Sequence, residues 1–120
     1  MLTYENLVFS ANERIPEVKE YYDALIKKDV IDSKSGNHIV FGYVYVPVLT
    51  DAIKNGKKEL VKNMFAFLEE MASSDDGHIV EVCDQSVLEA LNDEFDDKLL
   101  VPLMGENTKV GFAALKSYMY

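Results

Sequence analysis

The side chains with the widest chemical range in this sequence are one cysteine, Cys83, and two histidines, His38 and His78. Nucleophilic catalysis needs a cysteine or serine beside a base that a third group holds in place. His78 and Cys83 are five residues apart on one predicted helix, which points their side chains about 140° away from each other. We therefore predict that Cys83 is a small core residue and that the protein is not an enzyme.

The same residues do not form a recognisable metal site. Two histidines and one cysteine are too few for a zinc site built without carboxylates. Asp75, Asp76 and Glu81 would supply carboxylates, but the alternating oxygen ligands of a calcium loop are missing around them. We expect neither a metal nor another cofactor, and we expect His38 to lie in a loop or at the start of a helix.

Charge is distributed unevenly along the chain. Residues 1–68 contain nine acidic and nine basic residues, whereas residues 98–120 contain one acid and three lysines. The acidic stretch, residues 69–97, contains eleven acidic residues and no lysine or arginine, so its charge alone exceeds the net charge of −9 of the whole chain. Without lysines at i,i+4 positions, self-repulsion lowers the stability of the helices that carry this stretch.

Two interpretations of the acidic stretch follow. It is either a solvated face that keeps the protein soluble or a surface that binds a basic protein partner. In the second case, the candidate partner-binding residues are Asp75, Asp76, Glu81, Glu89, Asp93, Glu94, Asp96 and Asp97. Nucleic acid is an unsuitable partner, because binding it requires lysines and arginines that displace counterions from phosphates.

Length and composition indicate a single domain that spans residues 1–120. A chain of this length buries roughly two-thirds of the surface that it exposes when unfolded. One cysteine cannot form an internal disulfide, which suits a reducing compartment. The first residues lack the basic segment and apolar run of a signal peptide, and no stretch reaches the ~20 apolar residues that span a bilayer. We expect a cytoplasmic protein that does not enter a membrane.

Apolar residues recur at helical spacing through most of the chain, and turn residues fall about one helix length apart. The predicted helices cover residues 4–11, 16–28, 57–72, 77–92 and 108–118, with a short helical segment at 95–100. Asp76 is the expected N-cap of the helix at 77–92. The predicted buried face of that helix consists of Ile79, Val80, Cys83, Val87, Ala90 and Leu91.

Residues 38–56 form an ambiguous segment. Their β-branched and aromatic residues would suit a short strand pair near residues 38–46. On a helical wheel, however, six apolar residues share one face of about 140°. These residues are Phe41, Val44, Tyr45, Val48, Leu49 and Ala52. We favour a helix in which Pro47 leaves the carbonyl of Tyr43 without its usual partner and kinks the axis.

The phrase FLEEM at residues 67–71 recurs as VLEAL at residues 87–91, one helix and one turn later in the same apolar phase. This spacing is typical of adjacent helices in a HEAT-like array. We therefore predict an all-α fold of six or seven helices that form a HEAT-like or irregular helical array.

Several phrases of the sequence match a known family in their order. They are HIVFG at residues 38–42, Pro47, MFAFLEEM at 64–71, VLEAL at 87–91 and, more weakly, LMGENTK at 103–109. In this order the chain resembles small immunity and orphan-immunity proteins of bacterial polymorphic toxin systems over about half of its length. The resemblance implies an all-helical fold that binds a toxin domain, whether a nuclease, a deaminase or an ADP-ribosyltransferase. It supplies no site residues.

These observations together favour a cytoplasmic immunity-type protein that binds the catalytic domain of a toxin through the acidic stretch and blocks its substrate site. Complementary charge would speed association, and buried aromatic anchors would supply affinity. The candidate anchors are Tyr21, Tyr22, Tyr43, Tyr45, Tyr118 and Tyr120. The alternative is a small helical adaptor or regulatory protein-binding module without a toxin partner.

Overall fold

The computed structural model of the protein describes residues 1–119, with side chains described for residues 1–117. Across this part the chain forms seven helices and no strand, which confirms the predicted all-α fold. The helices are α1 (Leu7–Arg14), α2 (Pro16–Lys27), α3 (residues 37–54), α4 (Lys58–Ala72), α5 (residues 77–94), α6 (residues 97–103) and α7 (Glu106–Met119). Two candidate anchors, Tyr118 and Tyr120, lie outside the described side chains.

The ambiguous segment is helical, so a strand pair near residues 38–46 is excluded. Helix α3 begins as an α-helix at Asn37–Val40, passes through a π turn at Phe41–Tyr45 and continues as an α-helix at Val46–Lys54. At the end of the π turn, the N–H of residue 46 donates to the carbonyl of residue 41, five positions back. Pro47, which has no N–H to donate, follows directly. The irregularity predicted from Pro47 is therefore a π turn.

A second π segment, Val82–Leu88, lies inside α5, which runs regularly before and after it. One additional residue in a turn rotates the following side chains by about 100° relative to a regular α-helix. Ile79, Cys83, Val87 and Leu91 are buried as predicted. Towards the end of the π segment the rotation moves the buried face, so that Leu88 is buried and Ala90 is only half-buried. Val82 is buried and Val80 is half-buried as well, but Val80 precedes the π segment.

Helix α4 lies at the centre of the core and packs against α3, α5 and α7. Its buried residues are Leu60, Val61, Met64, Phe65, Phe67, Leu68 and Met71. The Tyr45 hydroxyl of α3 donates a 2.6 Å hydrogen bond to the carbonyl of Met64. Apolar residues from all seven helices join one continuous core. Helices α4 and α5, which carry the two related phrases, are therefore neighbours in space.

Candidate protein-binding surface

The acidic stretch extends from the end of α4 to the start of α6, and α5 divides its candidate residues into two groups. The amino-terminal acids are Asp75, Asp76 and Glu81, and the carboxyl-terminal acids are Glu89, Asp93, Glu94, Asp96 and Asp97. With a rise of 1.5 Å per residue, the length of α5 separates the two ends by roughly 25 Å. The candidate residues therefore do not form a single patch.

Glu69, at the start of the acidic stretch, is a structural residue that caps α7. Its carboxylate accepts hydrogen bonds from the backbone N–H groups of Asn107 (3.0 Å) and Thr108 (2.9 Å), and from both of their side chains (2.8 Å each). Burial opposes ionisation, but these four bonds outweigh it and hold the pKa of Glu69 below its usual value. A Cβ at Gly105 would lie 2.5 Å from the Glu69 carboxyl carbon, so this close approach requires glycine.

Glu70 is paired with Arg14 across the interface between α1 and α4. The guanidinium donates to both carboxylate oxygens, with one of the two distances at 3.1 Å. These hydrogen bonds lower the pKa of Glu70 against the opposing effect of burial. The Arg14 guanidinium also lies 5.4 Å from the ring centroid of Phe67, which adds a cation–π contact.

Two of the carboxyl-terminal acids also form ion pairs with lysines outside the acidic stretch. Lys54 of α3 lies 2.6 Å from Glu94, and Lys116 of α7 lies 3.0 Å from Asp97. At the other end of α5, Asp76 is the predicted N-cap and accepts from the N–H of His78 at 2.9 Å. Lysines from other helices thus balance part of the negative charge that no lysine at an i,i+4 position balances within the stretch itself.

Apart from Asp76, whose carboxylate caps α5, four candidate residues remain without a cation. Among the described side chains, no lysine, arginine or histidine lies within ion-pair distance of Asp75, Glu89, Asp93 or Asp96. Asp93 lies in the last turn of α5, where no basic residue balances it and where a negative charge opposes the helix dipole. Neither an ion pair nor the helix dipole therefore stabilises this carboxylate in the folded protein.

Two grooves with apolar floors lie on either side of the middle of α3, and Asp93 lines one of them. The α2–α3 groove has a volume of about 510 Å³ and is lined by Glu17, Glu20, Tyr21, Ala24, Pro47, Val48, Asp51, Lys57 and Leu60. The α3–α5 groove has a volume of about 570 Å³ and is lined by Val46, Pro47, Thr50, Asp51, Lys54, Ala90, Asp93 and Glu94. The two grooves share Pro47 and Asp51, so they adjoin each other on either side of α3.

Glu17, Glu20 and Asp51 were missed by the sequence prediction. They belong to the part of the chain whose net charge is zero, so a count of net charge along the sequence does not single them out. Part of the signal was present, because residues 17, 20, 21 and 24 occupy one face of α2 at i, i+3, i+4 and i+7 spacing. Their proximity to Asp51 depends on how α2 packs against α3.

The candidate tyrosine anchors differ in accessibility. Tyr45 is fully buried and its ring stacks on Phe41 with a centroid distance of 5.0 Å, so it is a core residue. Tyr22 is half-buried against the core. Tyr43 is 57% exposed, and Tyr21, which lines the α2–α3 groove, is 38% exposed. Of the candidate anchors with described side chains, Tyr43 and Tyr21 therefore present a ring to a partner.

Cys83, His38 and His78, the side chains with the widest chemical range, do not form a common site. Cys83 is buried and its thiol donates to the carbonyl of Leu68 at 3.7 Å, which confirms its prediction as a core residue. Burial raises the pKa of this thiol. His38 lies at the start of α3, as predicted, and its Nδ1 is 2.6 Å from the hydroxyl of Ser86 in α5. The described residues contain no group of three histidine, cysteine or acidic side chains arranged to hold a metal.

Asp84 lies in the π segment of α5, and its environment is unfavourable to its charge. Its Oδ1 atom is buried without a hydrogen-bond partner. A Cβ at Gly111 of α7 would lie 2.7 Å from that oxygen. Burial raises the pKa of Asp84. The buried charge of this carboxylate therefore lowers the stability of the folded protein where α5 packs against α7.

Fold and surface define a small all-α protein with two adjoining grooves whose rims carry acidic residues. The chain matches the family described as Domain of unknown function (DUF7674) over residues 10–118, and it belongs to that family. No curated protein matches it, and no solved structure matches it either. Of the helices described, none has the length and apolarity needed to cross a membrane.

Proposed function

We propose that this protein is a cytoplasmic immunity-type inhibitor that binds the catalytic domain of a bacterial toxin and blocks the toxin's substrate site. The observation that carries the proposal is the surface at the end of α5, where Asp93 lines a groove and neither it nor Asp96 has an ion-pair partner among the described side chains. The phrases that resemble immunity proteins lie mainly on α3, α4 and α5, the elements that form the core and the α3–α5 groove.

A basic partner would complement this surface. Asp93 opposes the dipole of its own helix, and binding a lysine or arginine there would recover free energy that the free protein loses. Opposite charge would also accelerate encounter, and the acceleration would weaken as salt screens it. Exposed Tyr21 and Tyr43 supply aromatic surface for affinity.

Co-expression with a neighbouring gene tests the proposal. A toxin-like open reading frame beside this gene should arrest growth when expressed alone, and co-expression of this chain should restore growth. Asp93→Lys combined with Asp96→Lys should reduce protection, whereas the matched control, Glu5→Lys combined with Glu13→Lys, should protect normally. Binding of a basic partner that has no toxic activity would instead support the adaptor alternative.

A further inference from the structure

The α2–α3 groove is a second contact region, of which the proposed function uses only the exposed ring of Tyr21. Its floor is apolar, formed by Tyr21, Pro47, Val48 and Leu60, and its volume of about 510 Å³ lies within the range of ligand-binding sites. We propose that this groove binds a basic peptide segment of the partner protein and holds one apolar side chain of that segment against Tyr21 and Pro47. This inference rests on the proposed function for the existence of a basic protein partner.

The charges on the rim identify the occupant. Within the described part of the protein, Glu17 and Glu20 have no cation at ion-pair distance, whereas Asp51 is neutralised by Lys57 at 3.1 Å. Two free carboxylates over an apolar floor favour lysine or arginine beside an apolar residue. A second copy of this chain is a poor occupant, because two molecules that each carry a net charge of −9 repel each other.

The groove adjoins the surface that the proposed function gives to the toxin. Pro47 and Asp51 line both the α2–α3 groove and the α3–α5 groove that contains Asp93. A partner that contacts Asp93 can therefore extend a segment across α3 at Pro47 and Asp51 toward Glu17 and Glu20. The second groove would enlarge the interface and add an apolar anchor site, which supplies affinity rather than encounter rate.

The experiment uses the isotope-labelled full chain and a synthetic peptide of alternating lysine and glycine with one central leucine. Amide chemical shifts should change at residues 17–24 and 48–51. Replacing the leucine by glycine should weaken binding about tenfold, since the anchor side chain is lost. Glu17→Gln combined with Glu20→Gln should weaken binding about fivefold, as expected for two screened charge contacts. Glu5→Gln combined with Glu13→Gln is the matched control and should leave the affinity unchanged.

Three results would overturn the inference. The first is that the peptide does not bind at millimolar concentration. The second is that the changes in amide chemical shift are spread evenly over all exposed acidic residues. The third is that the leucine and glycine peptides bind with equal affinity. None of these bears on growth protection, so the proposed function would stand without the groove. Conversely, if the peptide maps to the groove but no toxin is neutralised, the groove remains a basic-peptide site and the proposed function fails.

Discussion

Glu69 and Asp93 belong to the same acidic stretch, yet the fold uses them in opposite ways. Glu69 accepts four hydrogen bonds and fixes the start of α7, whereas Asp93 has no cationic partner among the described side chains and opposes the dipole of α5. The comparison shows that a run of negative charge in a sequence is not one functional unit. Carboxylates at its start hold helices together, whereas at its end Asp93 and Asp96 have no ion pair among the described side chains.

Removing Glu69 should have the largest effect on stability. Glu69→Ala should lower the free energy of unfolding by about 2 kcal/mol, since a charged cap and its hydrogen bonds to α7 are lost together. Asp93→Ala is the matched control and should change stability by less than about 0.5 kcal/mol. Chemical denaturation followed by circular dichroism measures both. An equal loss of unfolding free energy in the two variants would show that the two ends of the acidic stretch contribute equally to stability.

The pair between Arg14 and Glu70 should have a smaller, pH-dependent effect. A double-mutant cycle with Arg14→Ala and Glu70→Ala should give a coupling of about 0.5–1 kcal/mol at neutral pH, because both side chains are largely exposed. The pKa of Glu70 is lowered in the folded state. Its stabilisation is therefore present above the unfolded pKa of about 4.3 and disappears as pH falls through the folded pKa. Coupling that persists in strong acid would contradict the ion pair.

Asp84 should show the smallest effect and the opposite sign. Burial raises the pKa of Asp84, so its contribution favours folding below the unfolded pKa and is lost as pH rises through the folded pKa. Asp84→Asn should therefore stabilise the protein at neutral pH, by roughly 0.5 kcal/mol after allowing for solvent screening of a half-exposed group. Thermal unfolding at neutral and acidic pH tests this. A variant that is less stable than the wild type at neutral pH would show that the Asp84 charge has a favourable partner.

Much of the fold could be predicted because it depends on local pattern. The apolar stripe of α4, the Asp76 cap and the burial of Cys83 are each set by neighbouring residues in the sequence. The π segment in α5 was not predicted, because one additional residue in a turn leaves no clear mark on helical periodicity. Its consequence was the wrong assignment of Ala90 to the buried face, whereas the wrong assignment of Val80, which precedes the π segment, does not follow from it.

The candidate surface was less predictable than the fold, since it depends on contacts between distant segments. The separation of residues near Asp75 from those near Asp93 follows from the length of one helix, which the sequence does indicate. The ion pairs of Glu70 and Glu94 join residues 56 and 40 positions apart. The meeting of α2 with α3 at Pro47 likewise requires the packed structure. Charge counted along the chain therefore overestimates the free negative surface and misses Glu17 and Glu20.

Association kinetics with the toxin domain test the central claim most directly, namely that the unpaired acids at the end of α5 recruit a basic partner. Asp93→Lys combined with Asp96→Lys should slow association about tenfold at low salt, and the difference should shrink as salt rises. Glu5→Lys combined with Glu13→Lys changes the net charge equally and should leave the rate close to that of the wild type. Equal association rates for all three proteins at low salt would contradict the account and assign these carboxylates to solvation alone.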